Sequence, residues 1–393
     1  MKTRLLALPI IGLALVACPT TPPTPTIGVN SNVKVLATAD IAVADPTQLE
    51  VSVPGLAAGD VIVSDFKDTD DDGILRRVTS VQTASVPNPS GVGPQAITKV
   101  YVKTEAATLE DVFNTGQADI AFGGLDFGQV STQTAQGVQV EAVSGDITLS
   151  NVTLPLPNGV GTATFNGSIS QTLEPSFNLT FTNGKVDQFE IGLSGKLSAS
   201  LKAKISTTAK YTNLDLEKGI ASTTIRRLFL IGGIPVIVVI EPKVVIGMTG
   251  GSDAKVTVEA GIAPTLSGAF KLAYNSKAAS TKRWTSSMTT PTFALNPSFS
   301  YTVPSGATGT AFAKLVMDVK FYGLFGPSLE TKPFLGLNLK TDGTATTEAG
   351  LAASGTLKAG LSILGKSMEI ATDPLTQKAS KSYTCTASSG KCQ

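Results

Sequence analysis

The sequence predicts an all-β protein: predominantly antiparallel sheets arranged as a sandwich or an open, barrel-like body, with one short helix in a smaller N-terminal domain. Three observations predict it. Residues 196–206, KLSASLKAKIS, alternate strictly, with Leu197, Ala199, Leu201, Ala203 and Ile205 on one face and Lys196, Ser198, Ser200, Lys202 and Lys204 on the other. A period of two belongs to a half-buried strand, because a helix would scatter both sets around its circumference. Asn-Gly pairs at 158–159, 166–167 and 183–184 tolerate the positive φ of tight hairpin turns, so residues 146–205 read as a meander. Finally, charged residues are only 16% of the 393-residue chain while glycines number 38, a composition that suits a secreted β-protein better than a cytosolic helical one.

The chain opens with Lys2 and Arg4, followed by an apolar run over residues 5–17 that Pro9 and Gly12 interrupt. That run falls short of the roughly 18 residues of a membrane span, and its charged start, greasy middle and small-residue end form a secretory signal pattern. The last four residues of this stretch, LVAC at 15–18, resemble the lipobox of bacterial lipoproteins. The resemblance implies that the Cys18 sulfur receives a diacylglycerol, that residues 1–17 are cut away, and that the new amino terminus is acylated. It further implies sorting to the outer membrane or cell surface, since Pro19 stands where an inner-membrane retention signal has aspartate. A conventional signal peptide cut near Ala17 is the alternative. Residues 18–29 then form a tether, in which Pro19, Pro22, Pro23 and Pro25 favour extended polyproline geometry and a reach of roughly 30 Å.

In the next segment, residues 33–43 and 49–53 read as short strands, with further strands at 61–63, 74–78 and 97–103. The stretch TLEDVFNTG at 108–116 reads as the helix: Thr108 caps it, Asp111 occupies the capping-box position and Gly116 stops it. The segment GDVIVSDF…ILRRVTSV…VYVKTEAATLEDVF resembles a module of uncharacterised secreted bacterial β-proteins, which implies a separate small domain and no activity. The glycine cluster Gly123, Gly124 and Gly128 places the boundary near 124–132, giving a small β-rich domain at 30–128 and a large antiparallel domain at 129–393.

Within the large domain, LFLIGGIPVIVVI at 228–240 is too short for the roughly 20 residues of a spanning helix and reads as one buried strand between Arg226-Arg227 and Glu241. In residues 319–339, Gly326-Pro327 and Lys332-Pro333 punctuate short strands. The tail at 349–371 alternates small and apolar residues around Gly350, Gly355, Gly360 and Gly365, which suits close backbone approach or strong curvature.

The chain contains no histidine, which removes Ser-His-Asp and Cys-His catalysis in their usual form and the commonest zinc and copper sites. Its 31 basic and 30 acidic residues leave no basic stripe for nucleic acid. With Cys18 lipidated, Cys385 and Cys392 are left to pair in an oxidising compartment, and closing so small a ring contributes at most about 2.5 kcal/mol. The run Asp68-Thr69-Asp70-Asp71-Asp72-Gly73 has the spacing of the front of a calcium loop, with Asp68, Asp70 and Asp72 as ligands and Asp65 assisting. Thr79 stands where an EF-hand needs glutamate and the flanks read as strands, so the choices are a calcium-binding hairpin loop or a solvated acidic turn. Glu174, Glu190, Glu217, Glu241, Glu259, Glu330 and Glu348 are scattered and pair by no spacing rule. Trp284 could serve a sugar-binding face or the core.

Two functions follow as expectations. The first is a non-catalytic, lipid-anchored cell-envelope protein, a structural or interaction module that meets the membrane through its anchor and envelope proteins through its body. The second is a carrier for lipid or another apolar ligand, suggested by a mean hydropathy of +0.19. A carboxylate-only hydrolase and a transmembrane barrel are the remaining rivals. No resident cofactor is expected, calcium at the acidic loop excepted.

Overall fold

The computed structural model describes residues 27–45, 47–65, 72–87, 96–124, 133–140, 146–253, 255, 257–262, 265–289, 292–294, 298–301, 306–324, 326–342, 344–357, 364 and 374–386. Its strands begin with Gly28–Val29 (β1), Val33–Val35 (β2), Ile41–Asp45 (β3), Gln48–Val51 (β4), Val61–Ser64 (β5), Ile74–Pro87 (β6) and Ala96–Ala106 (β7). One helical turn, Leu109–Val112 (α1), leads to Phe113–Ala121 (β8), Gln133–Thr134 (β9), Val138–Val140 (β10), Ile147–Pro155 (β11), Gly161–Thr182 (β12), Lys185–Thr207 (β13), Tyr211–Ser222 (β14) and Ile225–Ile231 (β15). Then come Ile234–Ser252 (β16), Thr257–Ile262 (β17), Thr265–Asn275 (β18), Trp284–Met288 (β19), Thr292–Ala294 (β20) and Ser298–Tyr301 (β21). The last four are Ala307–Phe321 (β22), Pro327–Leu339 (β23), Thr344–Leu357 (β24) and Leu375–Thr386 (β25).

Among the described residues these strands form three open sheets. The first has 11 strands built around the β12–β13 hairpin, the second 8 strands in the order β25-β24-β23-β22-β16-β14-β9 with β15 also paired to β16, and the third 6 strands in the order β2-β5-β6-β7-β4-β3. Pairing is antiparallel except between β2 and β5. The protein is therefore all-β, and among the described residues it has a single short α-helix and neither large sheet closes into a barrel.

The β12–β13 hairpin turns at Asn183 and Gly184, whose φ values of 51° and 70° are those the Asn-Gly pair tolerates. Asn158-Gly159 likewise turns β11 into β12. Asn166-Gly167 does not turn: it lies inside β12, opposite Lys202 and Leu201 of β13. There the Asn166 Oδ1 accepts a hydrogen bond from the Asn151 N–H at 2.7 Å, where the β11 register shifts. A side chain that satisfies a bulge in the neighbouring strand carries the same sequence signature as a turn.

The two large sheets pack face to face. Phe177 of β12 meets Phe321 of β22 edge-on at 5.6 Å, Phe189 at 6.1 Å and Phe122 at 5.2 Å. Gly355 of β24 lets that strand approach Leu272 of β18, since a Cβ there would lie 3.0 Å from the leucine. The outer face of the eight-stranded sheet is polar. Phe312 lies over Gly247, where a Cβ would come within 2.5 Å of its ring, and Lys332 covers it at 3.6 Å from the ring centroid. Lys314–Glu217 at 2.7 Å, Lys320–Glu241 at 2.6 Å and Lys378–Glu348 at 2.8 Å lace the same sheet across strands. Lysine ammonium groups held over aromatic rings or paired with carboxylates across strands suit a face turned to water.

The small sheet has its own core of Leu49, Val51, Ile62, Ile74, Val78, Val100 and Val102, while Val61, Val63 and Leu75 join the main core. It ends at Ala106, before the glycine cluster: β8, inside the segment 30–128, pairs with Ser176–Phe181 as a strand of the eleven-stranded sheet. The helix is correspondingly shorter than 108–116. Asp111 does accept the Thr108 N–H at 2.9 Å, but the chain turns to strand at Phe113, which pairs with Val29 of β1, and Gly116 sits in that strand where its ladder to β12 begins. The helix acids tie the two bodies together, Asp111 pairing with Arg77 of β6 and Glu110 accepting the Val186 N–H of β13 at 2.9 Å.

Two further differences concern glycine and proline. Residues 228–240 are a hairpin, not one strand: Gly232 and Gly233, at φ 58° and 81°, turn β15 into β16. Pro333 sits within β23 opposite Leu351, and the strand continues through it because only the ladder to β22 lapses, at Ala313 and Lys314. Pro327 does begin its strand, as expected.

One buried charge anchors the β18–β19 turn. Asp187, 8% exposed, accepts from Lys277 Nζ and Ser276 Oγ, each at 2.6 Å. The Lys277 ammonium first, then the Ser276 hydroxyl, hold its carboxyl below the ordinary range despite desolvation. A depressed native value stabilises the fold fully above the unfolded carboxylate value of about 4, and that stabilisation is lost as pH falls through the native value. Asp187→Asn is expected to cost about 2 kcal/mol at neutral pH. Thermal melts between pH 7 and 2 should show a flatter acid limb in the variant.

Candidate functional site

The start of β16 gathers an unusual set of groups. Val236, Ile237, Val238, Val239 and Ile240 are all essentially buried, because this strand is covered on both faces. Ile237 is the meeting point: β15 pairs with it through Leu228, Tyr322 donates its N–H to the Ile237 carbonyl at 3.0 Å, and a Cβ on Gly73 would lie 2.0 Å from its Cδ1. The Tyr322 hydroxyl donates to the Pro235 carbonyl, and burial pushes that phenol's pKa up, so it stays a neutral donor.

Asp72 belongs to this corner. Its Oδ1 accepts from Arg226 Nε of β15 at 3.0 Å, and Gly323 leaves room for the carboxylate, since a Cβ there would fall 2.2 Å from Oδ2. Of the expected calcium ligands, Asp68 and Asp70 lie outside the described residues. Asp72 is already charge-compensated by a guanidinium. Among the described residues no group of three or more His, Cys, Asp or Glu side chains is placed to hold a metal ion.

The corner also carries exposed apolar groups. Leu228 is 41%, Leu230 74% and Leu324 40% exposed, three of the four large exposed hydrophobics among the described residues. Leu228 and Leu230 alternate with Phe229, which turns inward onto Phe122 at 5.0 Å. Ile27, the first described residue, packs beside the turn: a Cβ on Gly232 would meet its side chain at 3.4 Å. The chain from the expected lipidation site thus enters the body at the tip of β15–β16. Sequence reasoning missed this patch because Leu228 and Leu230 stand in an apolar run, and only the edge position of β15 exposes them.

The other expected residues disperse. Cys18 and Cys392 lie outside the described residues; the Cys385 backbone pairs with Ala345 in the β24–β25 ladder, and its side chain is likewise outside them. Trp284 is half-buried against Tyr274 at 5.1 Å and Phe189 at 6.3 Å, an interior position. Among the acids, Glu241 and Asp318 stand directly opposite in the β16–β22 ladder. Lys243 reaches both, at 3.8 and 3.2 Å, and Lys320 holds Glu241. A lysine beside each carboxylate offsets their mutual repulsion across the ladder.

Between the sheets, one cavity of about 40 Å³ is lined by Leu173, Leu193, Phe270, Met288, Leu351 and Ala353. A second, of about 30 Å³, lies beside Ile205, Tyr211 and Leu335. At the far end of the eight-stranded sheet an open polar concavity of about 790 Å³ is bordered by Asn213, Asp253, Lys340 and Asp342. No helix is long and apolar enough to cross a membrane among the described residues. Comparison with known proteins gives no matching family model, no matching curated protein and no matching solved structure.

Proposed function

We propose that this is a non-catalytic, lipid-anchored protein of the bacterial cell envelope, held at the outer membrane or cell surface through Cys18 and acting as a structural or interaction module. The observation that carries the reading is the LVAC motif at 15–18 followed by Pro19 and a proline-rich tether. Around it, the body supports display more than chemistry. Its outer face is laced with ion pairs, its register-opposed acids are compensated, and its chain contains no histidine.

The carrier reading fares less well against the packing. An acyl ligand needs a pocket of about 300 Å³ or more, and the described cavities between the sheets hold little beyond a water. Organic extraction of the purified Cys18→Ser protein, followed by mass spectrometry, is expected to yield no lipid in stoichiometric amount. One mole of acyl lipid per mole of this anchorless chain would favour the carrier instead.

A further inference from the structure

We infer that the tip of the β15–β16 hairpin, with Leu228, Leu230 and Leu324, is a membrane-contacting surface that seats its apolar side chains in the bilayer to which Cys18 is attached. The inference rests on the lipid-anchor reading and adds an orientation to it: the end of the sandwich bearing this hairpin faces the lipid.

Three observations converge. Scattered exposed leucines are ordinary on a protein surface, but here they share one corner: Leu228 and Leu230 lie on the Arg226 face of β15, and Leu324 follows the glycine that accommodates the Asp72 carboxylate bound to Arg226. Second, Ile27 packs on Gly232 at the hairpin turn, so the tether leaves the body beside Leu230. Third, the reach is limited. The nine residues from Cys18 to Thr26 span at most about 32 Å even fully extended, whereas the 19-residue β16 running from this corner to the far end is roughly 60 Å long. The anchor therefore holds the hairpin corner near the membrane and leaves the polar far end, with Asp253 and Asp342, away from it.

The contact is apolar. Asp72 is neutralised by Arg226, and Arg227 is exposed with no acidic partner among the described residues. Asp72 is preceded in the sequence by Asp68, Asp70 and Asp71, however, so net charge is not taken as the attraction. A bilayer without net charge is the appropriate probe.

The test couples the chain beginning at Cys18, with Cys385→Ser and Cys392→Ser, through its remaining thiol to a maleimide lipid in phosphatidylcholine vesicles with brominated acyl chains. No described element precedes Gly28, so removing residues 1–17 touches none of them. Leu230→Trp, at a 74% exposed position, is expected to lose about half its added emission to bromine, because a side chain seated ~5–10 Å into the headgroup boundary reaches the acyl chains. Thr341→Trp, at the far end, should keep its emission, and Leu228→Trp should follow Leu230→Trp. Equal quenching at Leu230→Trp and Thr341→Trp, or none at either, overturns the inference. So does a blue-shifted Leu230→Trp with doubled mass in the absence of vesicles, which would mark an interface between two copies. Because attachment is chemical, these outcomes stand whether or not cells lipidate Cys18; palmitate labelling in cells decides that separately.

Discussion

Cys18→Ser is expected to abolish incorporation of labelled palmitate and to move the protein from the membrane fraction to the soluble one. The size of the effect follows from the anchor. Each buried methylene contributes about 0.8 kcal/mol, and two or more chains give stable attachment where one gives only marginal binding. Against this, the leucines at the hairpin tip supply at most a few side chains' worth of apolar contact. They orient an attached body; they do not hold a released one. Cell fractionation with palmitate labelling, wild type beside Cys18→Ser, checks the prediction. A variant that labels and sediments like the wild type would remove the lipid from Cys18.

Phe177→Ala is expected to destabilise the fold by about 4 kcal/mol. Phe177 is 3% exposed and its ring touches Phe122, Phe189 and Phe321, so it joins the eleven-stranded sheet to β22 of the other. Removing it leaves a cavity that two long rigid ladders cannot collapse into, and it forfeits three aromatic contacts as well. Denaturant unfolding of the variant measures the loss. A cost below about 1 kcal/mol would mean that the sheets repack freely, contrary to a close-packed interface.

The fold was legible wherever a strand has one wet and one dry face. KLSASLKAKIS shows this, with Ala203 buried and Lys202 and Lys204 exposed in β13. Asn183-Gly184 announced its turn for the same local reason. Legibility failed where tertiary pairing decides. Asn166-Gly167 serves a bulge in a neighbour, Pro333 survives inside β23, and the helix stops at Val112 where β1 and then β12 take up the residues after it. The Gly232-Gly233 turn was hidden by composition: both arms of its hairpin are apolar, β16 because it is covered on both faces, and β15 with Ile225 and Ile231 turned inward and Leu228 and Leu230 exposed.

The candidate site divides in the same way. The proposed lipidation motif is read from adjacent residues and needs no fold. The hairpin corner is assembled from Asp72, Leu228, Leu230, Ile237 and Leu324, and no spacing rule joins residues so far apart in the chain. Of the three carboxylates expected as calcium ligands, Asp72 finds a guanidinium that sequence could not place beside it.

The most direct measurement is mass spectrometry of the amino-terminal peptide of the protein isolated from its native membrane. The expected chain starts at Cys18 and is heavier than its sequence by a thioether-linked diacylglycerol. An unmodified Cys18, or an amino terminus at any other residue, would rule out the lipid anchor.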